Sequence, residues 1–206
     1  MKLYDYLPSQ NGFKIRHLLQ HLDQPYEHAP VAIFQGESRK PEFLEKNPVG
    51  AIPVLEPEPG VYIAESNAIL CYLAEGTKYL PAQRLARARV MQWLFFEQYY
   101  VEPTIGTLRF WVLVDKVKSN EARAAAKRSS GERALDALER HLSKHPFLAN
   151  DSYSIADIAV FGYAHLAADA HFDLKSRPNF LRWIERVKVE SGALPPIYPY
   201  TPDARG

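Results

Sequence analysis

The chain carries 206 residues with 25 basic and 24 acidic side chains, a formal charge of +1. That balance, with no basic stripe in any segment, argues against a nucleic-acid partner, and no apolar run approaches the roughly 20 residues that cross a bilayer. The single cysteine, Cys71, excludes an internal disulfide and a Cys-x-x-Cys redox pair. The amino terminus passes directly into a strand-like pattern without the apolar core of a signal peptide, so a soluble cytoplasmic protein away from membranes is expected.

Lys2 to Tyr6 reads as a strand, and Gly12 to Leu22 places Phe13, Ile15, Leu18, Leu19 and Leu22 at helical spacing. Tyr26 to Ile33 reads as a second strand. Pro41 opens a short helix, where its missing N–H costs nothing. Ile52 to Leu55 and Val61 to Ile63 are short strands around the turn-forming Glu56-Pro57-Glu58-Pro59-Gly60. A helix is expected from Ser66 to about Glu75. After Gly76 strand signals stop. Arg84 to Val101 is amphipathic, and Thr107 to Val117 reads as a second helix or a bend of the first. Glu121 to Lys144 is rich in helix formers, with Ser129-Ser130-Gly131 a weak spot. Ser154-Ile155-Ala156-Asp157 resembles a capping box opening a helix to about His171. A last helix, Pro178 to Val189, precedes a tail whose prolines preclude regular helix. The expected organisation is an α/β domain over residues 1–76 and an all-helical domain over 84–206, with the boundary in 76–83.

Asn47-Pro48-Val49-Gly50-Ala51-Ile52-Pro53-Val54-Leu55 followed by Glu65-Ser66-Asn67-Ala68-Ile69-Leu70 closely resembles the glutathione-binding core of cytosolic glutathione transferases. Phe147-Leu148-Ala149 with Ser154-Ile155-Ala156-Asp157-Ile158-Ala159 resembles the capping region of that family's helical domain. The likeness covers nearly the whole chain, with the two regions in the family's order. Pro8-Ser9-Gln10-Asn11-Gly12-Phe13-Lys14 further resembles nu-class and related members, which carry Ser or Thr two residues before Asn-Gly. The resemblance implies a thioredoxin-like N-terminal domain followed by an all-helical one, glutathione as co-substrate, no metal, and a homodimer.

It also implies roles for particular residues. The proline matching Pro53 is cis in the family, and a cis turn would present the backbone N–H and C=O of Ile52 to the cysteinyl backbone of glutathione like a ladder rung. Ser66 begins a helix, so its hydroxyl and the free first-turn N–H groups suit the γ-glutamyl carboxylate, while Glu65 suits the α-ammonium. Ser9 and Asn11, in the loop before the helix near Gly12, are the candidates for stabilising the glutathione thiolate, the reactive form of a thiol whose ordinary pKa is about 8.5. Turn formation and capping are the competing roles for both. Either of the two could dominate. Tyr6 lies within the strand pattern and reads as packing.

Relatives often place Lys, Gln or His just before the Ile-Pro turn to meet the glycine carboxylate; here Gly50 and Ala51 occupy those positions, and Ser38 stands where a longer polar side chain is usual. Arg39 and Lys40 are the remaining sources of positive charge. The family sets its acceptor pocket against the first long helical region, which nominates Tyr100, Arg109 and Trp111. His17/His21 and His141/His145 have helical i, i+4 spacing but lack a third ligand, and read as exposed helix residues. Cys71 reads as a small core residue. The expected reaction is thiolate attack on an electrophile, a disulfide or a peroxide. The competing reading is a non-catalytic binding or scaffolding protein on the same fold. Dithiol chemistry is opposed by the lone cysteine.

Overall fold

A computed structural model describes residues 1–205, and it divides into two compact units, one of residues 1–75 with 194–204 and one of residues 76–193 with 205. In the first unit, β1 (Lys2–Asp5), β2 (Glu27–Pro30), β3 (Val54–Glu56) and β4 (Ile63–Ala64) form a sheet in the order β2-β1-β3-β4. β2 runs parallel to β1, while β3 and β4 are antiparallel to their neighbours, with Leu3 opposite both His28 and Leu55. Helices α1 (Gln10–His21) and α3 (Ser66–Ala74) pack against each other, and α2 (Pro41–Leu44) lies between β2 and β3 in sequence. This is a thioredoxin-like unit. Leu3, Phe13, Ile15, Leu18, Val54, Leu55, Ile69 and Leu70 are wholly buried. Each such side chain contributes about 1.5–3 kcal/mol, against about 1 kcal/mol net for a hydrogen bond, so the apolar pattern rather than the polar site decides the fold.

Helix α1 begins at Gln10, capped by the Ser9 hydroxyl, which accepts from Gly12 N–H. That corrects the expected start near Gly12 and puts Asn11 inside the first turn. A second correction concerns the tail, assigned by sequence to the helical domain. Residues 194–204 belong to the first unit. The Tyr6 hydroxyl bonds both Thr201 Oγ1 at 2.7 Å and Thr201 N–H at 2.9 Å, and the Tyr6 and Tyr200 rings lie 6.2 Å apart. Helical propensity along the chain cannot report such an anchor, because it depends on a strand far away in sequence.

The second unit is all helical: α4 (Arg84–Phe96), a π-helical stretch (Glu97–Gly106), α5 (Thr107–Leu113), α6 (Glu121–Leu142), α7 (Ile155–Ala164) and α8 (Pro178–Ser191). The π stretch contains Pro103, whose missing N–H disfavours ordinary helical bonding there. Ser129-Ser130-Gly131 does not interrupt α6. Gly131 is instead a contact point, since a Cβ there would fall 2.5 Å from Phe172 Cζ. The capping box forms in full, and Asp157 Oδ1 also accepts from Leu148 N–H and Trp183 Nε1–H. α7 ends at Ala164, short of the expected His171, and only a single turn follows at Ala167–Ala170. Among the described residues no helix is long and apolar enough to cross a membrane.

Candidate functional site

Four segments of the first unit carry the candidate residues: the first turn of α1, the loop before β3, the loop before α2 and the first turn of α3. α1 is held in place by a buried ion pair. Arg16 Nη1 donates to Asp5 Oδ2 and Nη2 donates to the Leu7 carbonyl at 2.9 Å, tying β1 to the loop that delivers Ser9. Asp5 is wholly buried, and that burial pushes its carboxyl up to about 6 against the lowering effect of Arg16. A Cβ on Gly12 would overlap the Asp5 carboxylate at 1.9 Å, so only glycine fits beneath this turn.

Asn11 reaches from α1 to α3. Its Oδ1 accepts from Lys14 Nζ at 2.9 Å and from Ser66 Oγ at 3.3 Å. An ammonium only donates, so the atom facing Lys14 must be the amide oxygen, and the Ser66 hydroxyl must be the donor in the second bond. Ser66 is buried and starts α3. No side chain caps that helix, which leaves its first-turn N–H groups as a ready site for an anion.

Glu65, just before Ser66, has φ 67° and ψ 112°. A non-glycine residue in such a conformation costs about 1–3 kcal/mol, and retained strain of this kind concentrates at functional sites. Glu65 is exposed at the start of the helix.

The loop before β3 is organised by Asn47, a buried residue to which sequence reasoning gave no role of its own. Its Nδ2 donates to the Ala51 carbonyl at 2.8 Å, its Oδ1 accepts from Val49 N–H at 3.1 Å, and its carbonyl accepts from Gly50 N–H at 2.8 Å. The signal was present, since Asn-Pro is a turn-initiating pair. The loop delivers Ile52-Pro53, whose bond is cis, as the resemblance implies. Among the described residues, no protein group hydrogen-bonds the backbone of Ile52.

Gly50 has φ 66°, and a Cβ there would fall 2.7 Å from the Ser38 carbonyl oxygen and 2.9 Å from Arg39 Nη1. Arg39 thus approaches the open side of Gly50, and it donates to the Val49 carbonyl at 2.6 Å. Ser38 is buried beneath it. Lys40 is exposed at the head of α2, and its ammonium makes no hydrogen bond among the described residues. Ser9, Asn11 and Ser66 thus lie on two adjoining helix starts, with Glu65 beside them, while Arg39 and Ile52 flank one loop.

In the second unit the three acceptor candidates separate. Arg109 is buried and its Nε donates to Asp169 at 2.8 Å. Trp111 is buried, with the Arg123 guanidinium 5.4 Å and the Lys127 ammonium 5.7 Å from its ring centre. Tyr100 lines an open groove of about 640 Å³, shared with Phe96, Tyr99, Lys127 and Arg133.

The histidine pairs are stacked, with ring centres 4.9 Å apart for His17/His21 and 4.4 Å for His141/His145. Contrary to expectation His17 is buried, because α1 also buries the side beyond its apolar stripe. Cys71 is partly exposed on α3 rather than a core residue. Among the described residues no group of three or more His, Cys, Asp or Glu could hold a metal ion.

Residues 1–75 match the glutathione S-transferase N-terminal domain profile, and residues 121–186 match the C-terminal domain profile. The chain is 30% identical over 192 residues to the disulfide-bond oxidoreductase YfcG of Escherichia coli K12, covering 89% of this chain and 88% of that protein. It is 33% identical to glutathione S-transferase 3 of Zea mays, covering 76% and 73% respectively. The crystal structure of a glutathione S-transferase from Pseudomonas fluorescens superposes with a TM-score of 0.88 at 42% identity, covering 91% of this chain and 94% of that one.

Proposed function

Since this chain belongs to the glutathione S-transferase family, we propose that it binds glutathione in its first unit and delivers the thiolate to a disulfide substrate. The observation that carries this reading is the Asn11–Ser66 hydrogen bond, which joins the start of α1 to the start of α3. It sets the groups suited to a sulfur anion beside those suited to a γ-glutamyl carboxylate.

The γ-glutamyl carboxylate is received by the first-turn N–H groups of α3, because the Ser66 hydroxyl proton is already donated to Asn11. Glu65 takes the α-ammonium from the strained position at the helix start. Ile52 offers its unbonded N–H and C=O to the cysteinyl backbone. Arg39 serves the glycine carboxylate, with Lys40 adding positive charge at longer range. At sulfur, Ser9 keeps its hydroxyl hydrogen free while its oxygen caps α1, and the amide hydrogens of Asn11 Nδ2 face away from Lys14 and Ser66. Both donors favour the anion, as does the positive end of α1.

The thiolate attacks one sulfur of a small disulfide, forming a mixed disulfide with glutathione and expelling the other sulfur as thiolate, which takes a proton from solvent. A second glutathione thiolate then releases glutathione disulfide. The chain's lone cysteine supplies no resolving thiol, so the second displacement uses that second glutathione thiolate, and the two glutathiones together furnish the single electron pair that reduces the disulfide. The similarity to a protein named a disulfide-bond oxidoreductase favours this outcome over conjugation. Conjugation keeps one specific support, the aromatic groove at Tyr99 and Tyr100, suited to an apolar electrophile.

Calorimetric titration with glutathione, followed by turnover of a small mixed disulfide and of a chloronitrobenzene, tests the reading. Binding with disulfide turnover supports it. Binding with chloronitrobenzene turnover alone selects conjugation. No binding at millimolar glutathione returns the chain to the non-catalytic reading.

A further inference from the structure

Lys14 stands out as a wholly buried lysine one turn along α1 from Asn11. Removing an ammonium from water is costly unless specific interactions offset it, and methionine would fill similar space without that cost. One such interaction is the 2.9 Å bond to Asn11 Oδ1. An asparagine side chain has one acceptor atom and two N–H donors on the opposite side of the amide. With Lys14 and Ser66 both donating to Oδ1, the amide cannot flip without placing N–H against N–H. Among the described residues Nδ2 bonds no protein group and is not closed off from solvent.

We infer that Lys14 is a positioning residue for thiol ionisation, an inference that rests on the glutathione reading above. It locks the Asn11 amide with Nδ2–H presented to sulfur. It also draws electron density toward Oδ1, which strengthens the N–H donors at the other end. Ser66 contributes to the same lock, so occupation of the γ-glutamyl subsite and ionisation of the thiol are linked through one amide group.

The test compares wild type with Lys14→Met, Lys14→Gln and Lys14→Arg. The readouts are the ultraviolet titration midpoint of the bound glutathione thiol and the calorimetric affinity for S-methylglutathione, which has no ionisable thiol. Removing the charge should raise the thiol midpoint by about one unit, a tenfold loss of thiolate at a pH below it. S-methylglutathione affinity should change less than about threefold, and Lys14→Arg should recover at least half of the shift. An unmoved midpoint overturns the inference, as does a parallel loss of S-methylglutathione binding, which marks a purely structural role. Should the uncharged variants not fold, 15N-labelled wild type decides. The Asn11 side-chain resonance must move as the bound thiol titrates, and a static resonance overturns the inference. Failure of wild type to bind either ligand is a separate result that defeats the glutathione reading itself.

Discussion

Ser66 Oγ donates to Asn11 Oδ1 across 3.3 Å, so the starts of two helices 55 residues apart in the chain share one hydrogen bond. Because Lys14 fixes which end of the amide faces Ser66, the bond has a defined direction. Ser66→Ala and Asn11→Ala should therefore be non-additive. In a double-mutant cycle on glutathione affinity, a coupling of about 0.5–1.5 kcal/mol is expected, the range for partners in one network. Additivity within about 0.3 kcal/mol would show that the two residues act independently.

Arg39 occupies the space that Gly50 leaves open. Arg39→Ala should weaken glutathione binding about five- to tenfold, as loss of a charge-assisted contact to a carboxylate does. Binding of γ-glutamylcysteine, which lacks the glycine carboxylate, should be almost unaffected. Equal losses for both ligands would assign Arg39 to loop stability through its bond to the Val49 carbonyl.

Gly50→Ala should be destabilising in its own right. The φ of 66° and the 2.7 Å approach to the Ser38 carbonyl oppose any side chain there. A loss of about 1–3 kcal/mol in denaturant unfolding is expected, so restoring a longer side chain at Gly50 should fail to improve glutathione binding.

Tyr6→Phe separates anchoring from chemistry. The Tyr6 hydroxyl makes two bonds to Thr201 and belongs to the contact that holds the tail. The substitution should speed limited proteolysis within residues 194–204 while leaving the titration midpoint of bound glutathione in place. A raised midpoint would assign Tyr6 to thiol activation.

His165 should give the second unit a pH dependence set by its burial. Burial pushes its imidazole down to about 4 from an ordinary value near 6.5, while its bond to the Phe161 carbonyl opposes the shift. With the folded value depressed, the unfolded chain binds the extra proton between these limits. This group's stabilisation is therefore complete above pH 6.5 and is lost as pH falls toward 4, on the order of 3 kcal/mol in all. Burial pushes Asp5 and Asp157 up to about 6, which acts in the opposite direction. The comparison must therefore be with His165→Gln, which shares those carboxylates. Wild type should lose stability relative to this variant between pH 6.5 and 5 in thermal unfolding, and a constant difference would contradict the assignment.

What was legible in the sequence was whatever local pattern encodes. Helical spacing from Phe13 to Leu19, proline at the head of α2 and the Ser154–Asp157 capping box each state their structure within a few residues. The Ile52-Pro53 turn and the Glu65-Ser66 junction were legible only as a motif, since neither a cis bond nor a positive φ at glutamate can be deduced from residue type. Long-range partners were not legible. Gly131 read as a weak point because the ring of Phe172 against it lies 41 positions later. The partners of Trp111 and Arg109, which are Arg123, Lys127 and Asp169, come from other segments and could not be read from the residues around them. Lys14 falls within the Pro8–Lys14 motif, but its bond to Asn11 depends on the helix starting at Gln10, two residues before the expected Gly12.

The central claim is that this chain holds glutathione as a thiolate. Its most direct test is the ultraviolet titration of glutathione bound to the wild-type protein. The expected midpoint lies at least one unit below the ordinary thiol value of about 8.5. A midpoint at or above that value, with glutathione bound, would contradict it.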